Sequence, residues 1–112
     1  VTNRLPEKTS IHWHGQRLPN GMDGVAGLNQ PAIEPGKTFV YEFEAKRPGT
    51  FMYHPHADEM LQMAMGMMGS WVTHPKNPKT MPVDRDFIFL LNAYDIDPGS
   101  YTPKVNTMLD FN

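Results

Sequence analysis

Eleven prolines and nine glycines in 112 residues constrain this chain more than any other feature. Proline breaks helix interiors and glycine weakens them, so this many interruptions argue against a helical bundle and for short strands joined by turns and loops. The stretches between the interruptions read accordingly. Ser10 to His14 alternates, with Ser10, His12 and His14 on one face and Ile11 and Trp13 on the other. Thr38 to Lys46 alternates most clearly and predicts a strand with Phe39, Tyr41, Phe43 and Ala45 inward and Glu42, Glu44 and Lys46 outward. The Pro-Gly pair in Arg47-Pro48-Gly49-Thr50 predicts a turn. A strand then follows over Phe51 to His56, with Met52, His54 and His56 sharing one face and Phe51 and Tyr53 turned to the core. Ser70 to His74 is a further strand. Asp86 to Tyr94, nearly continuously apolar, predicts one buried on both faces. Between these elements, Gly15 to Gly36 is a long loop with five glycines and three prolines. Loops of that length in compact domains usually carry function or are disordered. Asp58 to Met68 allows a turn or two of helix with Met60, Met63 and Met67 along one side, weakened at its end by Gly66 and Gly69. Pro75 to Pro82 is a polar loop, and the chain turns again at Asp97-Pro98-Gly99. The fold class predicted is all-β.

A chain of 112 residues is one small domain at most, or a piece of a larger protein. It begins with Val1, and Val1 to Leu5 reads as the tail of a strand, so an internal fragment is expected. Ten basic against twelve acidic residues leave a formal charge of −2, with no basic block, which speaks against a nucleic-acid footprint. The longest apolar run, Phe87 to Leu91, falls far short of the roughly 20 residues that cross a bilayer, so no membrane span is expected and no leader peptide is seen. With no cysteine, disulfides, zinc ribbons, thiolate chemistry and iron–sulfur ligation are excluded within these residues.

Four of the five histidines lie in two His-x-His pairs, His12-Trp13-His14 and His54-Pro55-His56, each at a predicted strand end. Side chains at i and i+2 of a strand point the same way, with Cα atoms about 6–7 Å apart. Such imidazoles are placed to hold one metal ion or two neighbouring ones. A nitrogen set without thiolate or carboxylate leans towards copper or zinc. The competing reading is that they are ordinary core or surface histidines. His54-Pro55-His56-Ala57-Asp58 also fits the H-x-H-x-D of binuclear metallohydrolases, but Glu59 follows where that motif needs a third histidine. A cupin would need a later P-x-G…H segment that is absent. Imidazole ligands need their second nitrogen fixed by an acceptor, and the sequence names none. His74, before Pro75, reads as a surface or structural histidine, and Trp13 as the anchor of its strand to the core.

The flanking residues carry a more specific signal. His12-Trp13-His14-Gly15, Asp23-Gly24, Ile33-Glu34-Pro35-Gly36-Lys37, Gly49-Thr50-Phe51-Met52-Tyr53-His54-Pro55-His56 and Gln62…Gly66-Met67-Met68-Gly69 occur in this order. Together they resemble the first cupredoxin domain of multicopper oxidases, which include laccases, and the methionine-rich stretch is most similar to the bacterial copper-resistance type. The resemblance covers roughly residues 1–76 and is weaker beyond.

The resemblance implies a Greek-key β-sandwich of cupredoxin type, with residues 1–95 as an incomplete first domain. Residues 96–112 would be its end and the start of a linker to a second domain. It implies a trinuclear copper cluster held by eight histidines, four of them from this domain. His12 would bind the type 2 copper, and His14, His54 and His56 the type 3 pair. Asp23 matches an acidic residue that relays protons during dioxygen reduction; its plainer reading is a turn-forming aspartate before Gly24. The whole enzyme would oxidise a one-electron donor, Cu(I) or another metal ion or a phenol, and reduce dioxygen to water. Its type 1 copper would lie in a C-terminal domain of the same chain, and its location would be periplasmic or extracellular. The alternative is a stand-alone copper-binding module without turnover. Met52, Met60, Met63, Met65, Met67 and Met68 offer thioethers that favour Cu(I), although methionine also fills irregular cores.

Overall fold

Three antiparallel strands form one sheet in the order β1–β2–β3 in the computed structural model, which describes residues 1–77 and 82–100. The elements run β1 (Ile11–His14), a 3-10 turn (Asn20–Met22), β2 (Gly49–Pro55), α1 (Glu59–Ala64) and β3 (Gly69–Thr73). β2 is central. It pairs with β1 in the register Ile11↔Pro55, His12↔His54, Trp13↔Tyr53 and His14↔Met52. On its other side it pairs with β3 from Gly49↔Thr73 to Tyr53↔Gly69.

Because side chains alternate across a sheet, this register sorts β1 and β2 into two chemically different faces. One carries the histidines. On the other, Trp13 is surrounded by rings, with centroids 5.1 Å from Trp71, 5.3 Å from Tyr41, 5.5 Å from Phe43 and 6.1 Å from Tyr53. Each such aromatic pair contributes about 0.5–1.5 kcal/mol beyond the area it buries. Trp13 therefore anchors β1 as expected. Gly69 faces Tyr53 because the phenol ring lies over its backbone, and a Cβ at Gly69 would overlap that ring.

The interior is unusually polar. Among the described residues, the buried hydrophobic side chains are Ile11, Ile33 and Ala64, while Asn3, Thr9, Ser10, Gln30, His54 and Gln62 are buried polar ones. Burial of an amide is costly unless it is hydrogen-bonded, and two of these are well satisfied. The Asn3 amide nitrogen donates to the carbonyls of Glu7 (2.8 Å) and Ile33 (2.7 Å), and its oxygen accepts from the Leu5 N–H (2.8 Å). Gln62, on α1, donates to the Lys8 carbonyl (2.9 Å) and the Glu7 carboxylate (3.0 Å) and accepts from the Thr9 hydroxyl (2.6 Å). These bonds tie α1 to the segment that leads into β1.

α1 has the short extent expected. It starts after Asp58, whose backbone is left-handed (φ 45°, ψ 49°), and it ends before Gly66 (φ 87°), whose N–H bonds to the Met63 carbonyl at 2.8 Å. The methionines do not behave alike: Met65 is 66% exposed, whereas Met60, Met63, Met67 and Met68 are half-buried.

Three expectations need correction. The turn expected over Arg47 to Thr50 is cut short, since Gly49 and Thr50 are already in β2, paired with Thr73 and Val72. Thr38 to Lys46 does not form a strand ladder. Thr38 bridges Thr2, and Phe39 exchanges hydrogen bonds with Val1, but among the described residues no backbone pairs with 40–46. The side-chain alternation survives for Phe39, Tyr41 and Phe43 against exposed Glu42 and Glu44, whereas Ala45 is exposed. Asp86 to Tyr94 is neither a strand nor buried: Phe87 is 67%, Phe89 78% and Leu91 81% exposed. A strand needs a neighbour for its backbone groups, and none lies beside it among the described residues. The turn at 97–99 is present, with the Ser100 N–H bonded to the Asp97 carbonyl at 2.9 Å. Residues 101–112 of the expected linker, and 78–81 of the expected polar loop, lie outside the described residues.

Candidate metal centre

The two His-x-His pairs meet. β1 brings His12 and His14, β2 brings His54, and the chain leaving β2 brings His56. The His12 ring stands at the middle, with centroids 5.4 Å from His14, 5.3 Å from His54 and 5.6 Å from His56. His14 and His54 are closer at their nitrogens, with Nδ1 of His14 3.2 Å from Nε2 of His54. The four rings and Glu59 line a cleft of about 380 Å³. His74 is exposed beyond the end of β3 and takes no part.

Two of the rings, His12 and His54, are oriented by what stands behind them. Nδ1 of His12 donates to the Asp23 carbonyl at 2.6 Å and lies 3.4 Å from the Asp23 carboxylate. Nδ1 of His54 donates to the Pro55 carbonyl at 2.9 Å and lies 3.3 Å from the Glu59 carboxylate. A proton held on Nδ1 leaves Nε2 of the same ring as its lone-pair nitrogen, and on His54 that nitrogen faces Nδ1 of His14. Asp23 reaches His12 because the long loop folds back under β1. Gly24 makes that approach (φ 83°): a Cβ there would overlap the Ile11 carbonyl oxygen.

Burial is the main reason that the His54 imidazole titrates below its ordinary 6.5. The neighbouring His12 and His14 act in the same direction, while the Pro55 carbonyl and Glu59 oppose it. The net effect keeps His54 neutral at neutral pH, the form that ligates metals.

The donor atoms fit a metal ion. Ligating nitrogens of His12, His14 and His54 all lie within 4.8 Å of one another. Imidazole nitrogens approach first-row metals to about 2.0–2.1 Å, so two that share an ion end up about 3 Å apart, as His14 and His54 are. Nitrogen donors without thiolate suit copper and zinc alike.

Of the residues that the sequence singled out, the structure gathers His12, His14, His54 and His56 in one cleft and sets Asp23 against His12 alone. Sequence reasoning gave Glu59 no role beside these rings; the available signal was its place three residues after His56, near the start of a predicted helix. It also missed that Gln62 is a structural tie.

A mostly β scaffold gathers two His-x-His pairs into one cleft, and three of the rings could hold a metal ion between them. Residues 1–78 match the multicopper oxidase family, and the chain belongs to it. It is similar to copper resistance protein A of Escherichia coli, with 41% identity over 112 residues, 99% of this chain and 18% of that protein. A laccase of Ustilaginoidea virens is 42% identical over 98% of this chain and 16% of its own length. Among solved structures, a multicopper oxidase from Pseudomonas thermotolerans superposes with a TM-score of 0.68 at 43% identity, covering 69% of this chain and 19% of that one. The cupredoxin-type fold is thus shared with such enzymes over about 70% of the chain. The chain spans under a fifth of the length of the curated relatives it matches.

Proposed function

We propose that this chain supplies half of the trinuclear copper site of a multicopper oxidase. The enzyme couples one-electron oxidation of a donor to reduction of dioxygen to water. Residues 1–95 are its first cupredoxin domain, and 96–112 lead towards the next. The observation that carries this reading is the 3.2 Å approach of His14 Nδ1 to His54 Nε2, from different strands, inside a cleft otherwise lined by His12, His56 and Glu59.

In this reading His12 holds the type 2 copper, and His14, His54 and His56 hold the type 3 pair, with four further histidines and the type 1 copper supplied by the rest of the polypeptide. Copper bound there supplies the one-electron steps that the side chains lack. The chain's own residues do the rest. The Asp23 and Pro55 carbonyls keep protons on Nδ1 of His12 and His54, so both rings offer Nε2. The sheet fixes the spacing of the pairs through the His12↔His54 register. In this reading Asp23, with its side chain one-third exposed and its carboxylate 3.4 Å from Nδ1 of His12, passes protons between solvent and His12.

The donor is Cu(I) or another metal ion, or a phenol. The resemblance to copper resistance protein A favours the first and that to a laccase the second. Location outside the cytoplasm, periplasmic or extracellular, goes with this reading. No helix among the described residues is long and apolar enough to cross a membrane.

The test is oxygen consumption by the full-length, copper-loaded protein with Cu(I) and with a phenolic donor. Uptake with either supports the oxidase, and no uptake with both sinks it. One observation favours a second reading, a copper-binding module without turnover: His12, His14 and His54 already bring three nitrogens within 4.8 Å. Tight stoichiometric copper binding without oxygen uptake would select it.

A further inference from the structure

We infer that Glu59 is a positioning residue whose carboxylate spans the Nδ1 sides of His54 and His56 and holds the two rings relative to one another. The inference rests on the reading of these histidines as copper ligands.

Glu59 is the first residue of α1 and lines the cleft at its edge. Its two carboxylate oxygens go to different rings. Oε1 lies 3.3 Å from Nδ1 of His54, and Oε2 lies 3.9 Å from Nδ1 of His56. A side chain acting as a fifth ligand would converge on the same point as the other donors. Glu59 does the opposite at His54: it meets Nδ1, while Nε2 of the same ring points to His14 at 3.2 Å. The carboxylate therefore stands on the side of the imidazole away from the shared donors. An anionic acceptor at Nδ1 fixes the tautomer and raises the basicity of the opposite nitrogen. The Pro55 carbonyl already accepts from His54 at 2.9 Å, so there Glu59 adds negative charge beside that bond. For His56, which is 38% exposed at its side chain, Glu59 is the acidic group beside the ring.

The backbone sets the carboxylate there. Asp58 takes a left-handed conformation between the strand exit and the helix, which turns the chain so that α1 starts beside the rings it has just passed. The clamp thereby spans 54 to 59 and holds the two rings at a centroid separation of 6.0 Å and an interplanar angle of 31°.

The test compares full-length protein carrying Glu59→Ala, Glu59→Gln or His54→Ala with the unaltered protein. Copper per chain, copper affinity and the electron paramagnetic resonance spectrum are measured, with circular dichroism to establish folding. Loss of an outer acceptor of this kind lowers metal affinity on the order of 10–100-fold. Glu59→Ala should show that loss together with a changed copper spectrum. Glu59→Gln, which retains an acceptor oxygen without the charge, should recover part of both. Glu59→Ala with unchanged affinity and spectrum, while His54→Ala loses copper, would overturn the positioning role and leave the ligand assignment standing. Unchanged copper in His54→Ala would overturn the ligand assignment itself, and the role of Glu59 with it. A Glu59→Ala protein that does not fold leaves Glu59→Gln to decide: an unaltered spectrum and affinity there would refute any need for the negative charge.

Discussion

Gly24 lies directly against the Ile11 carbonyl, with no room for a Cβ between them and with its own backbone at φ 83°. This contact presses the Asp23 loop onto β1 and delivers the Asp23 carbonyl to His12. Gly24→Ala should destabilise the fold by about 2–4 kcal/mol. About 1–2 of that is the left-handed backbone, and the remainder is overlap with main-chain atoms that have no rotamer to escape into. Urea unfolding of the full-length protein checks the loss. A variant as stable as the parent would show that the loop is not pressed onto β1.

Asp23→Asn separates the carboxylate from the backbone at the same position. Because the 2.6 Å bond to His12 comes from the Asp23 carbonyl, the substitution should leave His12 oriented and copper bound. If the carboxylate passes protons, oxygen turnover should fall on the order of 10²-fold, with an altered pH profile. Parallel measurements of copper content and oxygen uptake check this, and unchanged turnover would return Asp23 to the role of a turn residue.

Gln62→Ala should cost about 2–3 kcal/mol, because it removes the short bond from the Thr9 hydroxyl and leaves the Lys8 carbonyl without its amide donor beside a buried gap. The loss appears as a lower midpoint in thermal or urea unfolding. Copper content at saturation should be unaffected, since no cleft residue is touched.

Tyr41 provides a pH prediction. Burial raises its phenol above the ordinary 10.0, against the opposing hydrogen bonds from the Ile11 backbone and Gln30. The folded state therefore holds this proton more tightly than the unfolded state. Its contribution to stability is complete below about pH 10 and is lost as pH rises through the folded value. Tyr41→Phe should remove this part of the alkaline loss. It should also cost about 0.5–1.5 kcal/mol at neutral pH, because the Ile11 N–H loses its partner at 3.1 Å. Urea unfolding at neutral and alkaline pH checks both effects.

What could be read from the sequence divides along a physical line. Alternation in His12-Trp13-His14 and around His54 follows from local backbone geometry, so the division into a histidine face and an aromatic face was legible. So was the inward set Phe39, Tyr41 and Phe43. Hydrogen-bonded partners are not local. Thr38 to Lys46 has the pattern of a strand yet no ladder, because alternation states which side chains prefer burial and says nothing about which backbone lies alongside. The same gap accounts for Phe87 to Leu91, whose apolar character marks a preference for burial that no described neighbour meets. The contact of Glu59 was not legible for a different reason: a carboxylate beside a histidine ring has no motif of its own and becomes visible only when the helix start is placed beside the rings.

The pairing of β1 with β2 has a further consequence. Sliding β1 by one residue would exchange its two faces, turning Trp13 into the cleft and His12 and His14 into the aromatic cluster. Metal binding and hydrophobic packing are thus two readings of a single alignment, and an error in one is an error in both. A chain that captures copper at this cleft reports, by that fact, that its tryptophan has found the right neighbours.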